Sequence, residues 1–116
     1  MVVDDVVYAP HVQATPEQPY AFFYYITIKN NSTMTVTIRA RKWVVRQKTG
    51  ETTVVEGDGV VGEFPVLTPG DEFSYNSCHT VAADGTAEGA YFAEGNDGKL
   101  YFSRIPKFDL DLPKWV

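Results

Sequence analysis

Apolar and polar residues alternate with a period of two along most of this chain, the signature of half-buried β-strands. In YAFFYYITIKN, Tyr20 to Asn30, the side chains of Phe22, Tyr24, Ile26 and Ile28 share one face, and Phe23, Tyr25 and Thr27 share the other. Aromatics on both faces predict a central strand with a partly covered outer face. In TMTVTIRARKWVVRQ, Thr33 to Gln47, the residues Val36, Ile38 and Ala40 point one way, but the apolar set then moves to Trp43 and Val45. This change from even to odd positions predicts one extra residue near Arg41–Lys42, as a β-bulge or a corner between sheets. KTGE supplies a turn into TTVVEG, and LTPGDEF a turn into EFSYNSCHTV. AADGTAEG reads as a loop, and AYFAEG with LYFSRIP as a hairpin closed by NDGK. KFDLDLP reads as a separate short edge strand. Seven to eight short strands with Gly and Pro punctuation predict an all-β fold, an antiparallel β-sandwich forming one domain over residues 1–116.

Charge and cysteine content narrow the function classes. Fifteen Asp and Glu against ten Lys and Arg give a formal charge of −5, which argues against a nucleic-acid partner, since that affinity rests on cations that displace counterions. Arg39, Arg41, Lys42, Arg46 and Lys48 do cluster, but within a strand they read as a solvated face. Cys78 is the single cysteine, so no internal disulfide forms and a reducing compartment is expected. MVVDDVVYAP carries acids where a signal peptide carries a basic region, so a cytoplasmic protein without membrane insertion is expected.

The stretch EGDGVVGEFPVLTPG places Gly57, Gly59 and Gly62 in the spacing of a dinucleotide fingerprint. That fingerprint works only where a helix follows and aims its amides at a pyrophosphate. Pro65 and Pro69 exclude such a helix, so the glycines read as turn-formers, with Val60, Val61 and Phe64 available to pin the loop to a core. A small-anion or nucleotide-phosphate site built from Gly57, Asp58, Gly59 and Gly62, neutralised by Arg41, is the remaining chemistry of the loop. His11 and His79 are the only histidines and stand at no metal-ligand spacing. Exposed carboxylates such as Asp4, Asp5, Asp58 and Glu63 allow at most a weak divalent-cation site, so no metal or other cofactor is expected. Cys78 and His79 adjoin on a predicted strand and face opposite ways, so they form no nucleophile–base pair. No catalytic residues are assigned, and the protein is expected not to be an enzyme.

Aromatics make up 14% of the chain and concentrate in Tyr20–Tyr25 and Tyr91–Tyr101. Most are needed to fill a small core, and any left outside, such as Phe23 and Tyr25, form a surface suited to a protein partner. Trp115 is either folded back or exposed, and self-association through an edge strand stays open.

YYITIKNNS, RARKWVVRQKTGE, VEGDGVVGEFPVLTPGDEFSYNSC and GAYFAEGNDGKLYFSRIPKFDL, in that order over nearly the whole chain, resemble the ApaG (CorD) family. Members often read R-H-W where this chain has Arg41-Lys42-Trp43, and Y-x-S-G where it has Tyr75-Asn76-Ser77-Cys78, so Lys42 and Cys78 look dispensable to the shared role. The resemblance implies a fibronectin-type-III-like sandwich without established enzymatic activity. It implies an association with cobalt resistance and magnesium efflux in bacteria, and protein-interaction roles in eukaryotic F-box and DNA-polymerase-delta-interacting proteins.

Overall fold

A computed structural model describes residues 2–8 and 16–114. Among the described residues there are eight strands: β1 (Val2–Tyr8), β2 (Tyr20–Lys29), β3 (Val36–Gln47), β4 (Thr52–Asp58), β5 (Val66–Leu67), β6 (Glu72–Val81), β7 (Gly85–Gly95) and β8 (Leu100–Leu110). They form two antiparallel sheets, one ordered β1-β2-β6 and the other β4-β3-β7-β8, with β5 pairing the start of β3. With the two-residue β5 set aside, three strands face four: the antiparallel sandwich that the strand spacing predicts, of the fibronectin-type-III-like kind that the family resemblance implies.

The inner face of β2 is the one its alternation predicts: Phe22, Tyr24, Ile26 and Ile28 are buried, while Tyr25 is exposed. They meet Ile38, Trp43 and Val45 from β3, Tyr91 from β7, and Ile105 and Leu110 from β8 in one core. Asn30 ends β2 as a buried polar hub: its Nδ2 donates to the carbonyls of Met34 and Leu67, both at 2.8 Å, while its Oδ1 accepts from the Ser32 amide. That hub holds the two-residue β5 against β3, because a lone pair of residues has little ladder of its own.

Three local expectations are corrected. The bulge in β3 falls between Ile38 and Ala40, leaving Arg39 as the extra residue, two positions before the expected site. Arg41 then shares the inner face with Trp43 and Val45, an orientation that charge alone argues against. AADGTAEG is not all loop, since β7 begins at Gly85 and pairs with β3 on one side and β8 on the other. The small residues there serve close approach: a Cβ at Gly89 would drive into the Lys42 carbonyl. LYFSRIP and KFDLDLP form one strand rather than two, with Pro106 and Lys107 bulged opposite Glu88, where the edge tolerates a missing N–H. β1 also exists, over residues that the alternation did not single out.

Candidate functional site

The glycine loop closes as a tight hairpin at the end of β4. Val60 and Glu63 exchange both backbone bonds, at 2.8 and 2.9 Å, around Val61 and Gly62 with φ of 45° and 79°. Positive φ at both central residues defines a type I′ turn, a geometry that favours Asn or Gly and strains a β-branched valine. Gly59 also has positive φ, at 63°, and donates its amide to the Arg39 carbonyl at 2.7 Å. Val60 is fully buried and anchors the loop, whereas Val61 and Phe64 are exposed, contrary to the expectation that all three pin it.

Arg41 belongs to the same construction. Its Nη1 donates to the carbonyls of Asp58 at 2.9 Å and Gly59 at 3.2 Å, and its guanidinium lies over Gly57. A Cβ at Gly57 would stand 2.9 Å from that nitrogen, so this glycine clears a path for a side chain rather than supplying positive φ. Thus Gly57, Asp58, Gly59, Gly62 and Arg41 are brought together. The arginine faces carbonyl oxygens, and the amides of Gly59, Val60 and Glu63 bond inside the fold.

The remaining cations of the basic cluster each meet an acid across the outer face. Arg39 reaches Glu94 at 2.9 Å, Lys42 reaches Glu56 at 3.5 Å, Lys48 reaches Asp84 at 3.6 Å, and Arg46 pairs with Glu88. Four of five basic side chains are therefore ion-paired at the surface, and the solvated-face reading holds in this neutralised form.

Between the sheets lies a polar seam in an otherwise apolar core. The phenols of Tyr75 and Tyr91 hydrogen-bond to each other, and burial pushes both well above the usual phenol range, so both stay protonated. His79 stacks on Tyr24 at 4.7 Å and meets Trp43 edge-on at 4.7 Å. Among the described residues neither the His79 Nε2 nor the Trp43 Nε1 has a hydrogen-bond partner. Burial without an acceptor lowers the His79 pKa to about 4, leaving the ring neutral at pH 7. Cys78 is exposed on the opposite face of β6, as adjacency on a strand requires. The His11 and Trp115 expectations lie outside the described residues. Among the described residues no three His, Cys, Asp or Glu side chains gather as a metal ion would need. Nor is any helix there long and apolar enough to cross a membrane.

Exposed apolar surface is uneven. Phe23 and Tyr25 lie on the outer face of the three-stranded sheet, Phe23 half-buried and Tyr25 41% exposed, with Cys78 and Asn76 opposite them on β6. The larger concentration is on the β7–β8 hairpin. Phe92 and Phe102 are cross-strand partners on the outer face of the five-stranded sheet, and Phe102 is 66% exposed. Leu100, beside them, is 77% exposed. Ala40 and Ala90 leave shallow depressions on both sides of Phe92, framed by Lys42 and Arg104. On the other side of β8, Tyr101 lines an apolar cleft of about 210 Å³ with Ile28, Val36, Leu67 and Ala93. The sequence marks Tyr91–Tyr101 as aromatic-rich and KFDLDLP as an edge strand, but only the sheet order shows that, among the described residues, the edge runs the length of β8.

These features define a small antiparallel β-sandwich of fibronectin type III topology whose outer faces carry exposed aromatic side chains. The ApaG domain profile matches residues 10–95. Protein ApaG of Brucella anthropi is 45% identical over 104 residues, covering 88% of this chain and 80% of that one. Protein ApaG of an Azoarcus species is 40% identical over 97% of this chain and 90% of its own. The crystal structure of an ApaA protein from Bordetella pertussis superposes with a TM-score of 0.86 at 30% identity, covering 97% of this chain and 94% of that one. The chain belongs to the ApaG domain family.

Proposed function

We propose that this domain is a non-enzymatic protein-interaction module that binds through the outer face of its five-stranded sheet, centred on Phe92 and Phe102. The observation that carries this reading is the pairing of two exposed aromatics across β7 and β8, flanked by Leu100 and seated among small residues. Apolar patches with a polar rim are the usual mark of a protein contact. Any influence on cobalt or magnesium handling is then indirect, exerted through the partner. The glycine loop is a structural hairpin in this reading, since its arginine and several of its amides already bond within the fold.

The test is affinity capture from a cytosolic extract with Phe92→Ala and Phe102→Ala, set beside Phe23→Ala and Tyr25→Ala. Loss of the captured protein with the first pair alone supports the reading. Loss with the second pair alone moves the contact to the three-stranded sheet, and recovery unchanged in all four variants overturns both surfaces.

A further inference from the structure

β8 ends the five-stranded sheet, and its two halves differ. The C-terminal half carries the devices that blunt an edge, with Pro106 and Lys107 in a bulge. The N-terminal half, Leu100 to Ile105, has no such guard: its register with β7 is unbroken, it is free of Pro and Gly, and it has no charge before Arg104.

The ladder tells which backbone groups this edge presents. Gly95 donates to the Lys99 carbonyl at 2.9 Å, so hydrogen-bonded pairs with β7 continue at Ala93–Tyr101, Tyr91–Ser103 and Gly89–Ile105. Alternation leaves the N–H and C=O of Leu100, Phe102 and Arg104 pointing away from β7. Among the described residues no strand takes them up.

We propose that this edge pairs with the same edge of a second copy of the chain, antiparallel and two-fold symmetric about Phe102. The register is set by the strand itself. Phe102 faces Phe102 of the other copy, and Leu100 faces Arg104, so all three outward residues find partners in both chains. The next outward position is Pro106, which has no N–H to give and would face Gly98 in the hairpin turn, so the ladder stops where donors run out. No like charges meet, since the pairs are Phe–Phe, Leu–Arg and, on the inner side, Tyr101–Ser103. Side chains agree with the backbone, because Phe92 and Phe102 of each copy join into one aromatic row across the boundary. The Arg104 stem covers the otherwise exposed Leu100. A continuous eight-strand layer, counting four from each copy, removes both open edges at once. This goes beyond the partner-binding reading and does not depend on it.

Sedimentation equilibrium and amide hydrogen exchange on the Cys78→Ser protein, which cannot form an intermolecular disulfide, test the pairing up to millimolar concentration. The expected result is a mass rising from one chain toward two. The Leu100, Phe102 and Arg104 amides should gain protection in step, while Tyr101, Ser103 and Ile105 are protected throughout. Phe102→Lys, which sets two cations face to face, and Arg104→Pro, which removes an outward donor that β7 does not use, should each hold the protein monomeric. A monomer at every concentration overturns the proposal, as does a dimer in which those three amides exchange freely. Partner capture by the monomeric Arg104→Pro protein separates this outcome from the fate of the Phe92–Phe102 reading.

Discussion

Gly59 and Val61 sit two residues apart and carry opposite kinds of backbone cost. Gly59 needs its positive φ, and a Cβ there would strike the Glu63 carbonyl, so Gly59→Ala meets both strain and collision. A loss of about 2 to 3 kcal/mol in urea denaturation is expected, since each such backbone conflict costs roughly 1–3 kcal/mol. Val61 adopts the same region without being glycine, and its side chain is exposed, so Val61→Asn should raise stability by about 1 kcal/mol in the same assay. His79 carries a different kind of strain. Its folded pKa of about 4 lies below the ordinary 6.5, so the unfolded chain takes up a proton first as pH falls. Its contribution is therefore complete above pH 6.5 and is lost as pH falls toward 4. Denaturation at pH 7 and pH 4.5 should differ, with this one residue contributing on the order of 2 kcal/mol. His79→Phe, which keeps the ring stack, should flatten that slope.

Strands as units were legible where one face met a core. β2 and β6 follow from alternation nearly to the residue, because burial on one side imposes a period of two, whereas β4, exposed or half-buried throughout, follows from the turn before it. Where small residues take the place of the apolar ones the rule weakens. Gly85 to Gly89 reads as loop by composition but lies in β7, where contact with two neighbours overrides propensity. Arg41 was singled out, yet its inward direction depends on carbonyls seventeen and eighteen residues away, which no local pattern records. Likewise Asn30 gave no signal of its role, although β5 hangs on it. Asn30→Ala leaves two carbonyls without their donor and should cost about 2 kcal/mol, with heightened exchange at Val66 and Leu67 as the local mark. KFDLDLP marks the C-terminal part of β8 as an edge, but the edge at Leu100–Ile105 gave no such signal, for a related reason: an edge is defined by which strands are not beside it.

At the scale of the whole molecule, a net charge of −5 coexists with a basic strand because acids from β4, β7 and the loop before β7 lie across from it. Such exposed pairs contribute little stability singly, about 0 to 1 kcal/mol each, but they cancel the one field that could hold a phosphate backbone. Electrophoretic mobility of single-stranded RNA should accordingly be unchanged by this protein at physiological salt, and a retarded band would contradict that.

The order of strands in the five-stranded sheet also sets a timetable for synthesis. β3 takes its main partner from β7, pairing Gln47 with Gly85 and Val36 with Gly95. Translation at about 5 to 20 residues per second therefore leaves β3 waiting roughly 2 to 12 s for its partner to be made. During that interval β2 and β4 are already made and can cover Trp43, but the flank of β3 that β7 will take is bare, and a ribosome-bound chaperone would find that flank before β7 does.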